Sequence, residues 1–269
     1  MLNRRYYDKE KEVFRKSLIE KLNKLGWEAQ NINGNIITVC NNPQVALVAH
    51  YDTGRITPWP VKLYYRIFGC QARRYLPVIY VVFLTVTACL TIYISFIGIL
   101  ALICLLVLFF QMGPTPYNQN DNTSGISLLL KIAGFPDLKD KVRLIFTDNE
   151  ERGRKGAKNI SNMVPELVLN FDCIGAGDIL IISTNKIDPP EQLLKHLKNY
   201  KIIRQFSNSD YLEFKNGIGF TVAKKGLYGY YIPNSHTKKD TFIDEEILLR
   251  LADKIKNYID ANCINKQMS

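Results

Sequence analysis

With 269 residues, 47% of them hydrophobic, the chain is long enough for one large domain or two small ones with a sizeable core. A formal charge of +10 could serve nucleic acid, anionic lipid or an acidic substrate, but Lys and Arg are spread along the chain without a block of five or six. A solvated basic surface and no nucleic-acid partner are therefore expected. Cys40, Cys70, Cys89, Cys104, Cys173 and Cys263 form no CxxC pair, which excludes zinc-finger and thioredoxin-type chemistry and leaves free thiols in a reducing compartment as the expectation.

The N-terminal stretch MLNRRYYDKEKEVFRKSL is charged and has no apolar core, so it does not read as a cleavable signal peptide. From about Asp8 to Leu25 the spacing predicts an amphipathic helix, with Val13, Leu18, Leu22 and Leu25 near helical spacing and Gly26 as its stop. NINGNIITV predicts a strand pair or a turn plus strand around Asn33-Gly34. QVALVAH has the continuous apolar character of a buried parallel strand that delivers a His at its C-terminal edge.

Tyr75 to Phe110 carries no charged residue, and the uncharged stretch runs on to Asn120. One helix of that length would extend about 54 Å, against a bilayer core of about 30 Å that needs about 20 residues. A membrane location is expected, with the segment long for one crossing and short for two.

Beyond Pro114 and Pro116 the pattern is that of a soluble domain. TSGISLLLKIAG predicts a helix, KVRLIFT a strand, GRKGAKNISNM a helix, and ELVLNFD and DILIIS two strands. PPEQLLKHLKNY predicts a helix, GIGFTVA a strand, and DEEILLRLADKIKNYI a closing helix with acidic residues in its first turn. This alternation implies an α/β fold, a mixed, mostly parallel sheet sandwiched by helices.

Chemistry-bearing side chains gather at the predicted strand ends. His50 and Asp52 could form a metal ligand and the carboxylate that fixes its tautomer, although HxD alone is a weak signal and is better read as a surface pair. Asp121 stands in NDNTSG, which would also make a good N-cap turn. Glu150 and Glu151 follow one apolar strand and Asp172 another, while His236 lies in a polar loop before the last helix. Each taken alone is better explained by ordinary turn, cap or solvated loop chemistry. Oxygen- and nitrogen-rich donors suit zinc, manganese or cobalt. His196 reads as a helix-surface position without a role.

Together the strings VALVAHYDTG, YNQNDNTSGISLLLKIA, VRLIFTDNEERGRKGAKN, LVLNFDCIGAGD, SDYLEFKNGIGF and SHTKKDTF resemble the co-catalytic zinc aminopeptidases of the bacterial leucyl aminopeptidase type. Wider relatives include glutamate carboxypeptidase, glutaminyl cyclase and the transferrin receptor ectodomain. The resemblance implies two Zn²⁺ bridged by Asp121, one also held by His50 and Asp172, the other by Glu151 and His236. It further implies Glu150 as general base, Asp52 as the orienter of His50, and Asp210 in the surrounding shell, where Tyr211 replaces a more usual His. Two such metals polarise a scissile carbonyl and acidify a bound water. The implied function is hydrolysis of peptide bonds, with a peptide substrate and removal of N-terminal residues. A glutaminyl-cyclase-like acyltransferase and a non-catalytic module on the same fold are the alternatives; NDNTSG and the filled ligand positions favour the hydrolase.

Since the apolar segment separates His50 from Asp121, a shared metal requires an even number of crossings. The expected organisation is a catalytic domain in two parts, 1–58 and 112–269, with a membrane insertion at 59–111 in contact with the lipid bilayer. The insertion is read as a transmembrane hairpin, Leu76–Thr91 and Ser95–Gln111, or else as a re-entrant or interfacial one. Lys62, Arg66, Arg73 and Arg74 precede it, which places the site and both termini in the cytoplasm. The stretch VKLYYRIFGCQARRY is expected along lipid headgroups.

Overall fold

The computed structural model describes residues 4–93, 99, 100, 103, 112–164 and 166–267. Helix α1 spans Asp8–Lys24, and the Glu10 carboxylate accepts the Tyr6 and Tyr7 N–H groups at 3.0 and 3.1 Å, closing its first turn. The buried face of α1 is Lys11, Phe14, Leu18 and Leu22; Val13 and Leu25, expected on that face, are exposed. The reason is local packing, because Phe14 stacks on Tyr51 with ring centroids 5.2 Å apart and the Arg5 guanidinium lies over its ring at 4.9 Å.

The strand pair around Asn33-Gly34 forms as expected, β1 (Ala29–Ile32) against β2 (Asn35–Thr38), with both turn residues at positive φ. β3 (Val45–His50) is buried along its whole length. It is followed by α2 (Trp59–Phe68), a 3₁₀ turn (Cys70–Tyr75) and α3 (Leu76–Tyr93). After the insertion come α4 (Ser124–Ala133), β4 (Val142–Thr147), α5 (Lys155–Ile160), β5 (Leu167–Phe171) and β6 (Ile179–Thr184). The chain ends with α6 (Glu191–His196), β7 (Tyr200–Arg204), β8 (Gly217–Lys225), β9 (Tyr230–Tyr231) and α7 (Glu245–Gln267).

The sheet order is β1-β2-β4-β3-β5-β8-β6-β7, with β9 paired to β8. Its centre, β4-β3-β5-β8, is parallel and the flanks are mixed, which is the α/β architecture the alternation predicts. The main core joins α1, α4 and α7 to one face of the sheet, and a second cluster lies around Ile160 and Phe214 on α5's side. The segment EQLLKHLKNY divides into a short helix and the edge strand β7, because Leu197 turns to an extended conformation after His196 and Tyr200–Arg204 pairs with β6.

Helix α2 is an addition to the expected elements, and it buries none of its residues. In α3 the valines at 78, 81, 82 and 86 are all more than half exposed, with no apolar cover among the described residues. Cys70–Cys89 is long and apolar enough to cross a membrane by length and composition. The expected second span, Ser95–Gln111, lies almost wholly outside the described residues.

The chain leaves the domain and re-enters it at one place. Ile56 N–H donates to Gly113 O at 3.0 Å, Thr115 N–H donates to Gly54 O at 3.0 Å, and Arg55 bridges Pro114.

Candidate active site

Three parallel strands end at one edge of the sheet, and each hands over a polar residue there. His50 closes β3 and Asp52 follows it; Glu150 and Glu151 follow β4; Asp172 follows β5. Ligands in open α/β sheets gather at this carboxyl edge. Asp121 arrives from the turn before α4, and His236 from the loop after β9, at a positive φ of 55°.

The predicted residues converge into two clusters that share one side chain. His50 Nε2 lies 3.3 Å from Asp121 Oδ1 and 3.5 Å from Asp172 Oδ1. His236 Nε2 lies 3.2 Å from Asp121 Oδ2 and 3.5 Å from Glu151 Oε1. Asp121 thus turns one oxygen to each histidine. Within each cluster the donor atoms all lie within 4.8 Å of one another.

Two donors each about 2.0–2.1 Å from a tetrahedral zinc lie about 3.3–3.4 Å apart, so these separations fit metal ligation at both places. Asp172 Oδ1 is buried without a hydrogen-bond partner among the described residues, a costly state that a cation would relieve. The donor set of imidazole nitrogen and carboxylate oxygen is one zinc favours.

The electrostatics point the same way. Burial opposes protonation of His50, but Asp121, Asp172 and Asp52 outweigh it and hold its pKa well above the ordinary value. Burial, with neighbouring carboxylates, pushes Glu150 and Glu151 well above theirs. Burial would raise Asp121 too, yet His236 and His50 pull it down. A site holding this many acids in a buried space is built to concentrate positive charge.

Asp52 stands 3.5 Å from His50 Nδ1. Its two oxygens accept the Glu150 N–H at 2.9 Å and the Glu151 N–H at 3.2 Å, so it anchors the acidic pair as well as facing the imidazole. Asp210 is fully buried behind the strand ends, where Thr147 Oγ1 donates to it at 2.5 Å and burial raises its pKa to about 7. Tyr211, beside it, is buried and donates its hydroxyl to Ser207 O at 3.0 Å.

Four supporting residues have no role in the sequence reading. Asp240 accepts the Asn120 and Asp121 N–H groups at 2.7 and 3.1 Å, and Ser235 Oγ donates to Asp121 Oδ2 at 2.7 Å. Both lie beside His236 in SHTKKDTF, but nothing local marks a carboxylate as a backbone acceptor. Arg5 is fully buried, donating to Tyr51 O and, at 3.1 Å, to Thr123 Oγ1, and burial lowers its pKa to about 10. Gly54 is required by space, since a Cβ there would meet His236 Cε1 at 2.4 Å and Glu151 Oε1 at 2.5 Å.

Two imidazole–carboxylate clusters joined through one aspartate, at the carboxyl edge of this sheet, mark a metal-binding class of protein. The family match narrows that class. Residues 111–259, more than half of the chain, match peptidase family M28, and the chain belongs to that family. No curated protein matches the sequence at a significant level.

Solved structures share the fold. A leucine aminopeptidase precursor from Bacteroides thetaiotaomicron matches with TM-score 0.59 and 17% identity over 96% of this chain and 91% of that one. A glutaminyl cyclase from Porphyromonas gingivalis matches with TM-score 0.61 and 14% identity, covering 94% of this chain and 90% of that one. A zinc aminopeptidase from Bacillus subtilis matches with TM-score 0.52 and 18% identity over 84% of this chain, which spans only 49% of that protein's length.

Proposed function

We propose that the chain is a membrane-anchored, two-zinc aminopeptidase. The observation that carries this reading is the division of Asp121 between His50 and His236, one carboxylate oxygen to each cluster. His50, Asp172 and Asp121 would hold one ion; Glu151, His236 and Asp121 the other. Bound there, the ions would polarise the scissile carbonyl and acidify the attacking water.

The protein's own groups do the rest. Glu150 takes the water's proton and returns it to the leaving amine, a role suited to a buried carboxylate whose pKa is raised. Asp52 holds the Glu150 and Glu151 backbone in place. Asp240 and Ser235 fix the rotamer and backbone of the shared Asp121. Ligand geometry of this kind depends on such support.

The anchoring rests on chain geometry. His50 and Asp121 flank the apolar segment in sequence and approach each other in space, and residues 54–56 and 113–115 are hydrogen-bonded to each other. A chain that starts and finishes on one side crosses an even number of times. We read two crossings, Leu76–Thr91 and Ser95–Gln111, with a re-entrant or interfacial hairpin as the alternative, and the cationic residues before the first held on the cytoplasmic side. Trp59, Leu63, Phe68, Leu227 and Tyr228, exposed around α2 and the β8–β9 turn, are suited to the headgroup layer.

Hydrolysis of a panel of aminoacyl amides and peptides, with and without chelator, tests the reading. Release of N-terminal residues that stops on chelation and on N-acetylation of the substrate is expected. Equal rates on free and acetylated peptides would show an endopeptidase, and conversion of N-terminal Gln to pyroglutamate without hydrolysis would show a cyclase.

A further inference from the structure

Above the acidic floor lies a cavity of about 930 Å³, near the upper end of the range for small-ligand sites. The floor is Asp121, Glu150, Glu151 and Asp172, all buried or half-buried. The lining also carries six cations: Lys62 and Arg66 of α2, Arg73 of the 3₁₀ turn, Lys224 at the end of β8, and Lys238 and Lys239 two and three residues after His236. All but the half-buried Lys62 are exposed, so they form the outer part of the cavity while the acids form its depth.

These cations have no balancing charge of their own. None of the six side chains has an ion-pair partner among the described residues; the floor carboxylates face histidines instead. Burial and the nearby Lys239 together hold the Lys62 ammonium below its ordinary pKa, as expected where cations are held close together without an anion between them. Arg74, by contrast, does not line the cavity and lies over the Tyr75 ring at 4.8 Å.

The wall is also held in place. Lys62, Tyr65 and Arg66 occupy positions i, i+3 and i+4, one face of α2, and all three line the cavity. Behind them, Phe68 stacks on Tyr228 at 5.9 Å and Tyr228 N–H donates to Ile67 O at 2.8 Å. A Cβ on Gly69 would meet the Tyr230 backbone at 2.8 Å, so α2 and the β8–β9 turn are packed backbone to backbone.

A cavity with acids and metal ligands in its depth and cations at its rim complements a molecule whose amine end enters first and whose negative charge follows. We propose that this cationic rim, half of it contributed by the inserted segment, binds a carboxylate on the leaving-group side of the scissile bond. The favoured substrates are then short peptides with a free C-terminal carboxylate, or peptides with an acidic side chain just beyond the cleaved bond. The inference rests on the peptidase reading and adds the substrate class to it.

The test compares two pairs of peptides on the full-length protein in detergent: Leu-Gly with its C-terminal amide, and Leu-Glu-Gly amide with Leu-Gln-Gly amide. The acid member of at least one pair should be turned over with kcat/KM about tenfold higher, the size expected of one charge-assisted contact. The pair that shows the preference identifies the source of the carboxylate. The ratio should fall toward one in Lys62→Ala/Arg66→Ala, and shrink in 1 M salt. Equal rates within both pairs would overturn the proposal and leave the peptidase reading standing. If no peptide is cleaved, equilibrium binding of the same peptides decides. Carboxylate-selective binding lost in Lys62→Ala/Arg66→Ala would support the rim while overturning the peptidase reading, and unselective binding would overturn both. Dependence of phosphatidylglycerol-vesicle binding on Lys62 and Arg66, without any acid preference among peptides, would assign these cations to lipid and overturn the proposal.

Discussion

Gly54 is the position where one added carbon tests the site most locally. A Cβ built there sits 2.4 Å from His236 Cε1 and 2.5 Å from both His236 Nδ1 and Glu151 Oε1. The backbone cannot retreat, because Gly54 O accepts Thr115 N–H at 3.0 Å and Thr115 Oγ1 at 3.2 Å, while Thr53 N–H is tied to Arg5 O at 3.2 Å. The side chains must yield, and restoring ordinary contact moves His236 or Glu151 by about 1 Å, whereas metal ligation tolerates about 0.2 Å. Overpacking of this kind costs about 1–3 kcal/mol, which leaves the domain folded. Gly54→Ala should therefore lose the ion held by Glu151 and His236, keep the one at His50 and Asp172, and lose about 100-fold or more in kcat/KM. Metal content by plasma mass spectrometry, read beside aminoacyl-amide hydrolysis, checks both. A Gly54→Ala protein with undiminished metal and wild-type turnover would refute the geometry on which the second cluster rests.

Elsewhere the structure makes three further predictions. Lys11 is buried with Nζ 2.6 Å from Asp148 Oδ1, so Lys11→Met should cost about 3 kcal/mol by leaving Asp148 with Arg15, at 3.6 Å, as its one cationic partner among the described residues. Much of that loss should return in Lys11→Met/Asp148→Asn, measured by thermal unfolding. Asp260 lies 2.8 Å from Lys141 and 2.5 Å from Lys256; burial would raise its pKa, but the two lysines outweigh it and depress it. Its contribution is present above the unfolded carboxylate pKa of about 3.9 and is lost as pH falls through the lower folded value. Asp260→Asn should then lower stability by about 0.5–1 kcal/mol at pH 7 and by progressively less as the pH falls below the unfolded carboxylate value, as read from paired melting curves. Finally, with native accessible thiols blocked, a cysteine at exposed Lys215 should resist an impermeant maleimide in intact cells and react after permeabilisation. Labelling in intact cells would reverse the proposed orientation.

The strongly periodic and continuously apolar elements were legible in the sequence because burial itself wrote them: β3, β4, β5 and β8 are buried almost throughout. The candidate site was legible because strand ends, motif order and residue type agree at His50, Asp121, Glu151, Asp172 and His236, which the fold brings together. What could not be read was tertiary. Lys11 breaks the expected face of α1 because its charge is balanced by Asp148, far along the chain. Asp240 and Ser235 act through atoms of Asp121 that no local pattern connects to them. Helix α2 buries nothing, so its apolar positions did not fall on a core-facing stripe, and its part in the cavity depends on contacts with the β8–β9 turn. Edge strand β7 carries too little burial to separate it from the short helix before it.

The central claim, a two-metal peptidase in which Glu150 moves the proton, is tested most directly by Glu150→Gln. Its metal content and its hydrolysis of an aminoacyl amide should be measured on the same preparation. Two equivalents of zinc with turnover lowered at least about 100-fold is the predicted result, since the ligands remain and only the base is lost. Near-normal hydrolysis by Glu150→Gln would contradict the account.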